Sequence, residues 1–349
     1  MATAWFILLA VMLAVYVVLD GFDLGAGILH LSVAKTDAER RTVLAAIGPV
    51  WDGNEVWLIA FGGTLVYTFP RVYAAGFSGF YMPLMMVLWL LILRGISIEF
   101  RSQEAAHLWR SFWDGCFCVS SSLLAIVLGA ALGNVIRGVP IEASGFFSGP
   151  LFTNFLPGGR PGVLDWYTVL VGLYTLAVLA GHGALYLAVK TDGPLGERSW
   201  VAAHRAWIAA LVVGIPATIA TAWIRPRLVQ NLAARPLTWI LVAGVVVGLA
   251  GVFTGIRKRQ EARDFGASVC FLVCTLAATA AGLYPDLLTS TVNAANTLTV
   301  SNAAAGDLSL RIGFVWWSAA IILAIGYFAY LFHSFRGKVT PDSAYHSGD

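Results

Sequence analysis

Residues 5–27 read WFILLAVMLAVYVVLDGFDLGAG, and this stretch decides what kind of protein the chain is. An apolar run from Trp5 to Leu19 leads directly into Asp20-Gly21-Phe22-Asp23-Leu24-Gly25-Ala26-Gly27. A bilayer core needs about 20 mostly apolar helical residues, so the first span extends over 5–33 and carries two carboxylates with it. Asp20 and Asp23 lie three residues apart, on one helical face. Ionisable groups inside a span are expensive and are functional candidates by default. The glycines among them let another backbone approach closely.

Composition agrees. Hydrophobic residues make up 58% of the 349, charged residues 12%, and mean hydropathy is +0.77, where an average soluble domain carries about 25% charge. Too little polar surface exists to coat a soluble body, so the solvent is lipid. A net charge of +3 spread over short loops offers no basic face for nucleic acid. Four cysteines do not make a disulfide framework, and Met1 to Leu19 lacks the basic n-region of a signal peptide.

Nine stretches are long enough to span: 5–33, 43–69, 77–98, 113–136, 164–189, 203–223, 237–256, 265–284 and 312–335. The second contains Asp52, Asn54 and Glu55, and a soluble cap followed by a shorter span is the competing reading. The expected fold is an all-α integral membrane protein, because helices satisfy their own backbone hydrogen bonds in hydrocarbon. Lys and Arg set the orientation: with the N-terminus outside and the C-terminus cytoplasmic, inner segments hold 15 of them and outer segments 7. Two longer outer loops, 137–163 and 285–311, divide the chain. The expected grouping is a first four-helix bundle over 1–136, a second over 164–284, and a ninth helix with a cytoplasmic tail over 312–349.

The second span repeats the acidic spacing, with Asp52 and Glu55 at i and i+3. Glu99 closes the third span on the inner side. Together with Asp20 and Asp23 these acids form a route from the cytoplasm toward mid-membrane, a proton-relay pattern. The plainer readings are a packed helix crossing for Asp20 and Asp23, an interfacial belt of Trp51 and Trp57 beside solvated acids, and ion pairs of Glu99 with Arg94 and Arg101. Cys116, Cys118, Cys270 and Cys274 read as small packing residues. His182 has the depth for a haem ligand, but His30, His107 and His204 lie near span ends and none completes a bis-histidine site. Gly129 with Gly133, and Gly244 with Gly248, read as helix contacts.

At these residues the sequence resembles subunit II of cytochrome bd-type quinol oxidases. The likeness runs through Asp20–Gly27, Glu39-Arg40-Arg41, Gly48-Pro-Val-Trp-Asp-Gly-Asn-Glu-Val-Trp-Leu58, Phe69-Pro70, Tyr73–Tyr81, and Leu93-Arg94 to Glu99-Phe-Arg-Ser102. Shorter echoes follow at Arg137-Gly-Val-Pro140, Tyr284-Pro285 and Leu298–Ala303. The resemblance implies two four-helix bundles plus a peripheral ninth helix, paired with a haem-bearing subunit I in the bacterial inner membrane. Subunit I would hold two b-type haems, one d-type haem (a third b-type haem in some members) and the quinol site, with none ligated by this chain. The complex would oxidise quinol and reduce dioxygen to water with cytoplasmic protons. Small single-span accessory subunits, membrane lipids and a structural quinone or lipid are compatible additions.

Carried over by position, the resemblance places Asp52 and Glu99 in a proton channel at the subunit interface, and Trp57 near the mouth of an oxygen channel. Many relatives have Asp where this chain has Glu99. Gly21, Gly25, Gly27, Gly76 and Gly79 are expected to face subunit I. The alternative is an ion-coupled secondary transporter with Asp20, Asp23, Asp52 and Glu55 at its ion site, against which nine spans do not divide evenly.

Overall fold

A computed structural model describes residues 1–158 and 161–339, so Arg160 and the polar tail from Thr340 lie outside the described residues. The chain forms α1 (Ala2–Val33), α2 (Asp37–Ile47), α3 (Trp51–Thr68), α4 (Pro70–Gly79), α5 (Tyr81–Phe100), α6 (His107–Arg137), α7 (Trp166–Lys190), α8 (Gly193–Ile224), α9 (Pro226–Ala234), α10 (Thr238–Lys258), α11 (Glu261–Leu283) and α12 (Asp307–Ser334). A two-stranded antiparallel ribbon, β1 (Asp286–Leu288) with β2 (Leu298–Thr299), sits in the last long loop. Among the described residues eight helices are long and apolar enough to cross a membrane: α1, α5, α6, α7, α8, α10, α11 and α12.

The continuous second span expected over 43–69 is corrected. Helix α2 stops at Ile47 and α3 starts at Trp51, because Pro49 has no backbone N–H to continue the helix and disfavours helical geometry at Gly48. The competing reading, a polar cap before a shorter span, describes the chain better. Helix α2 opens on a capping box, in which Thr36 Oγ1 accepts from the Glu39 amide and Glu39 accepts from the Thr36 amide. The third span is likewise preceded by a separate α4, which Pro70 opens at a position where its missing N–H is not needed. Helices α6 and α8 begin a turn or more before their apolar segments, since residues such as Arg110 and Glu197 continue the helix where hydropathy is blind.

Small residues set the helix crossings. A Cβ on Gly25 of α1 would overlap the Leu179 carbonyl and the Gly183 backbone of α7, and one on Gly27 would overlap Ser121 of α6. Gly129 faces Gly172 and Thr175, Gly133 faces Thr168 and Val171, Gly244 faces Cys274, and Gly248 lies on the α11 backbone at Phe271, as expected of helix contacts. Helix α1 thereby lies among α3, α6, α7 and α11.

The two long loops meet at one end. Ile141 O accepts from Ser290 Oγ at 2.7 Å and from Asn296 Nδ2 at 3.1 Å, over a core that includes Trp5, Phe69, Phe147, Leu288 and Leu298. Helix α12 lies against α1 and α3. Trp5 Nε1 donates to Leu310 O at 3.1 Å, and Trp57 meets Phe328 with ring centroids 5.7 Å apart. At the short-turn end Lys190 Nζ donates to Phe335 O at 2.6 Å. Across its most apolar window no residue of α12 is buried.

Candidate functional site

Helix α1 is about 48 Å long at 1.5 Å per residue, which puts Asp20 near its middle. Around it four side chains from three helices converge. Arg94 of α5 places Nη1 2.7 Å from Asp20 Oδ1 and Nη2 2.8 Å from Glu55 Oε2 of α3. Asn54 of α3 donates Nδ2 to Asp23 Oδ2 at 2.7 Å, with Leu19 O at 3.4 Å. Asp20, Asp23, Asn54 and Arg94 are buried, while the Glu55 side chain keeps 20% of its exposure. Tyr16, one turn before Asp20, is buried beside it. A charge in such a place persists only if paired, and Arg94 supplies the one cation that pairs with the cluster's acids among the described residues.

The other expected site residues separate. Asp52 lies in the first turn of α3, where the helix dipole favours a carboxylate, and points out of the chain rather than into an enclosed low-dielectric site. The exposed stripe that it heads continues with Val56 at 50%, Ile59 at 72% and Val66 at 42%. Glu99 is half-buried near the end of α5. The guanidinium of Arg101 binds Asp114 at 2.7 Å and Asp37 at 2.7 Å. Trp57 is buried against Phe328 and lines a largely apolar groove of about 630 Å³ between α3 and α12, with Trp5, Tyr67, Trp316 and Trp317.

The glycine expectation is corrected in part. Gly21 faces Leu179, Gly25 faces Gly183 and Gly27 faces Ser121, all within this chain, so these three are filled by the chain's own helices and present no surface to a partner. Gly79 is covered by Phe147 of the long loop. Gly76 alone of the five meets nothing within 4 Å.

A second charged cluster, unforeseen from sequence, ties the short-turn end together. Buried Asp114 of α6 binds His30 Nε2 of α1 at 2.6 Å, Arg101 Nε at 2.7 Å and Arg40 of α2 at 3.0 Å. Asp37 joins Arg101 to Arg110 and Arg41. Although partial burial works the other way, the guanidinium of Arg101, followed by Arg110 and Arg41, holds the Asp37 carboxyl below the usual carboxylate range.

His182 is enclosed by the protein. Nδ1 meets Ser268 Oγ at 2.7 Å, Nε2 meets Val18 O at 3.0 Å, and the ring stacks on Phe265. Both nitrogens are engaged, so the residue does not fit a haem ligand as it stands. Among the described residues no group of three or more His, Cys, Asp or Glu side chains has the arrangement of a metal site. The four cysteines are free thiols, and Cys118 and Cys270 point at helix carbonyls.

Fold and site together define a multi-pass membrane protein that holds ionisable groups between its spans. Residues 1–335 match the family model of cytochrome bd terminal oxidase subunit II, and the chain belongs to that family. It is similar to the cytochrome bd-I ubiquinol oxidase subunit 2 of Escherichia coli strain K12, with 29% identity over 370 residues covering 97% of this chain and 95% of that one. It is also similar to the cytochrome bd ubiquinol oxidase subunit 2 of Bacillus subtilis strain 168, with 29% identity and 96% of each chain covered. The structure of bd oxidase from Geobacillus thermodenitrificans shares the fold, with a TM-score of 0.73 at 18% identity over 96% of this chain and 98% of that one. The chain is therefore a subunit of a terminal oxidase in the inner membrane, and the transporter reading gives way.

Proposed function

We propose that this chain is the subunit II of a bd-type quinol:dioxygen oxidoreductase that ligates no haem itself, stabilises a haem-bearing subunit I and helps to deliver cytoplasmic protons to the oxygen-reducing site there. The observation that carries the reading is Asp52. It stands on the exposed stripe of α3 among Val56 and Ile59, and a carboxylate facing acyl chains would be costly, so another protein covers this face. Subunit I, with its two b-type haems and one d-type haem, is that partner. Quinol and dioxygen are the substrates of the complex.

In this reading the chain crosses the membrane nine times, with α3 counted, since 18 residues reach about 27 Å. The N-terminus lies outside and the C-terminus in the cytoplasm. The crossings form two four-helix groups, within 1–136 and 164–284, with α12 peripheral. Protons enter near Glu99 and reach Asp52 at the subunit boundary. Glu55, half in the boundary and ion-paired to Arg94, links that surface to the interior acids Asp20 and Asp23. Trp57 and its apolar groove offer dioxygen, or the tail of a structural quinone or lipid, a path without polar barriers. Gly76, half-buried and with nothing within 4 Å of its missing Cβ, is the glycine left to approach subunit I.

The test is Asp52→Asn, which keeps the shape and removes the proton. Quinol oxidase turnover falls strongly while haem content and assembly stay normal, and Glu99→Gln falls by less. Full turnover in Asp52→Asn would leave the acid with a packing role only. A photo-cross-linker at Ile59 should capture subunit I; one at Val247 of α10, also exposed, should not.

A further inference from the structure

Three carboxyl groups lie around one guanidinium at the centre of this chain, and two of them touch it. Asp20 and Glu55 each touch a different nitrogen of Arg94, at 2.7 and 2.8 Å. Asp23 makes no ion pair among the described residues. Its one hydrogen bond is the amide of Asn54 on Oδ2, and its Oδ1, like both oxygens of the ion-paired Asp20, is buried with no hydrogen-bond partner among them. The Oδ1 of Asn54 is also buried and has no partner among them. Around Asp23 stand Asp20 of α1, Asn54 and Glu55 of α3, Arg94 of α5 and Tyr186 of α7. Of these only Arg94 is a cation.

Two facts of chemistry then decide the state of the cluster. Arginine stays charged in proteins, so Arg94 supplies one positive charge to the two carboxyl groups that it touches. A third unpaired charge, fully buried on Asp23 beside the Asp20 carboxylate, meets both desolvation and like-charge repulsion. In addition, Asp23 Oδ1 and Asn54 Oδ1 are both acceptors when Asp23 is ionised, and neither can then satisfy the other. A carboxylic acid and a primary amide complement each other in a two-bond ring, amide N–H to one carboxyl oxygen and acid O–H to the amide oxygen. The first of those bonds is present, and a proton on Asp23 Oδ1 would supply a donor where Asp23 Oδ1 and Asn54 Oδ1 are both buried without a hydrogen-bond partner among the described residues.

We infer that Asp23 is the carboxyl group of this cluster that carries a proton in the resting protein, paired as an acid with the Asn54 amide, and that Arg94 fixes this division by binding the other two. Arg94 is then a positioning residue: it holds Asp20 and Glu55 on its two terminal nitrogens and leaves Asp23 to the Asn54 amide. The inference deepens the proton-relay reading and rests on it for the proton's use in turnover.

Infrared spectroscopy of the assembled complex at neutral pH tests this, reading the C=O stretch of protonated carboxylic acids and its shift in D2O. Asp23→Asn should remove one such band, whereas Asp20→Asn and Glu55→Gln keep it. A band that survives Asp23→Asn, or that vanishes in Asp20→Asn or Glu55→Gln instead, overturns the assignment. Should Asp23→Asn fail to assemble, Asn54→Leu serves, because loss of the amide partner must shift the band; an unshifted band overturns the pairing. Turnover separates this from the relay itself. An Asp23→Asn complex that loses the band yet turns over at the wild-type rate keeps the protonation assignment and removes Asp23 from the route.

Discussion

Arg94 on α5 stands 2.7 Å from Asp20 on α1, both fully buried, and this pair fixes how two helices 74 residues apart in sequence are rotated toward each other. Neither charge can remain alone in that place. Removing one partner of a buried ion pair costs about 3–5 kcal/mol because the other is left uncompensated. Arg94→Gln is therefore expected to lower the thermal midpoint of the purified complex by the equivalent of that loss. Adding Asp20→Asn to Arg94→Gln should recover part of it. A double variant no more stable than Arg94→Gln would mean that the two residues are not coupled.

Gly25 supplies a contrast that needs no charge. A Cβ there collides with backbone atoms of α7 at Leu179 and Gly183, which cannot move aside as a flexible side chain would. Gly25→Ala should reduce the yield of folded chain severely. Gly266 of α11, with nothing within 4 Å of its missing Cβ, should accept Ala and gain up to about 1 kcal/mol from helix propensity. Expression and thermal denaturation of the two variants in parallel check this.

Acid stability depends in part on α2. Burial opposes ionisation of Glu39, but the amide of Lys35, the Arg198 guanidinium and the amide of Thr36 outweigh it and hold the carboxyl below its usual value. A depressed folded value means that the stabilisation is present above the ordinary carboxyl range of about 4, and is lost as pH falls through the folded value. Glu39→Gln should therefore be less stable than wild type at neutral pH, and the gap should close below about pH 4. Melting curves across that window provide the measurement; a gap that persists unchanged into acid would exclude this origin.

His182→Ala should leave the haem spectrum of the assembled complex unchanged, since both ring nitrogens already bond to Ser268 and Val18. Loss of a haem band with assembly intact would reassign the residue.

Much of the architecture was legible in the sequence because hydropathy is a property of one helix at a time. The run from Trp5 to Leu19, the acids at Asp20 and Asp23 and the polar start of the span at Asp52 could each be read without knowing any neighbour. The break at Pro49 could be read too, and the loss of a continuous span there follows from proline geometry alone. What escaped was pairing. Gly21, Gly25 and Gly27 signalled a close approach but not to which helix, and the answer was α7 and α6 of the same chain. Arg94 signalled a charge but not its partners, and nothing in the spacing of His30, Arg40, Arg101 and Asp114 announced that they would meet.

The sequence by itself determined that this is an all-α membrane protein, which of its acids lie within spans, and the family motifs that run through the first hundred residues. Only the tertiary structure decided that Asp20 and Glu55 share Arg94, that Asp23 is left with an amide, and that Asp52 faces outward. The reason is physical. An apolar span can slide and rotate against its neighbours with little change in hydropathy, so the register of one helix on another is set by where small residues permit contact and buried charges demand it, and both conditions are met only when the helices are assembled.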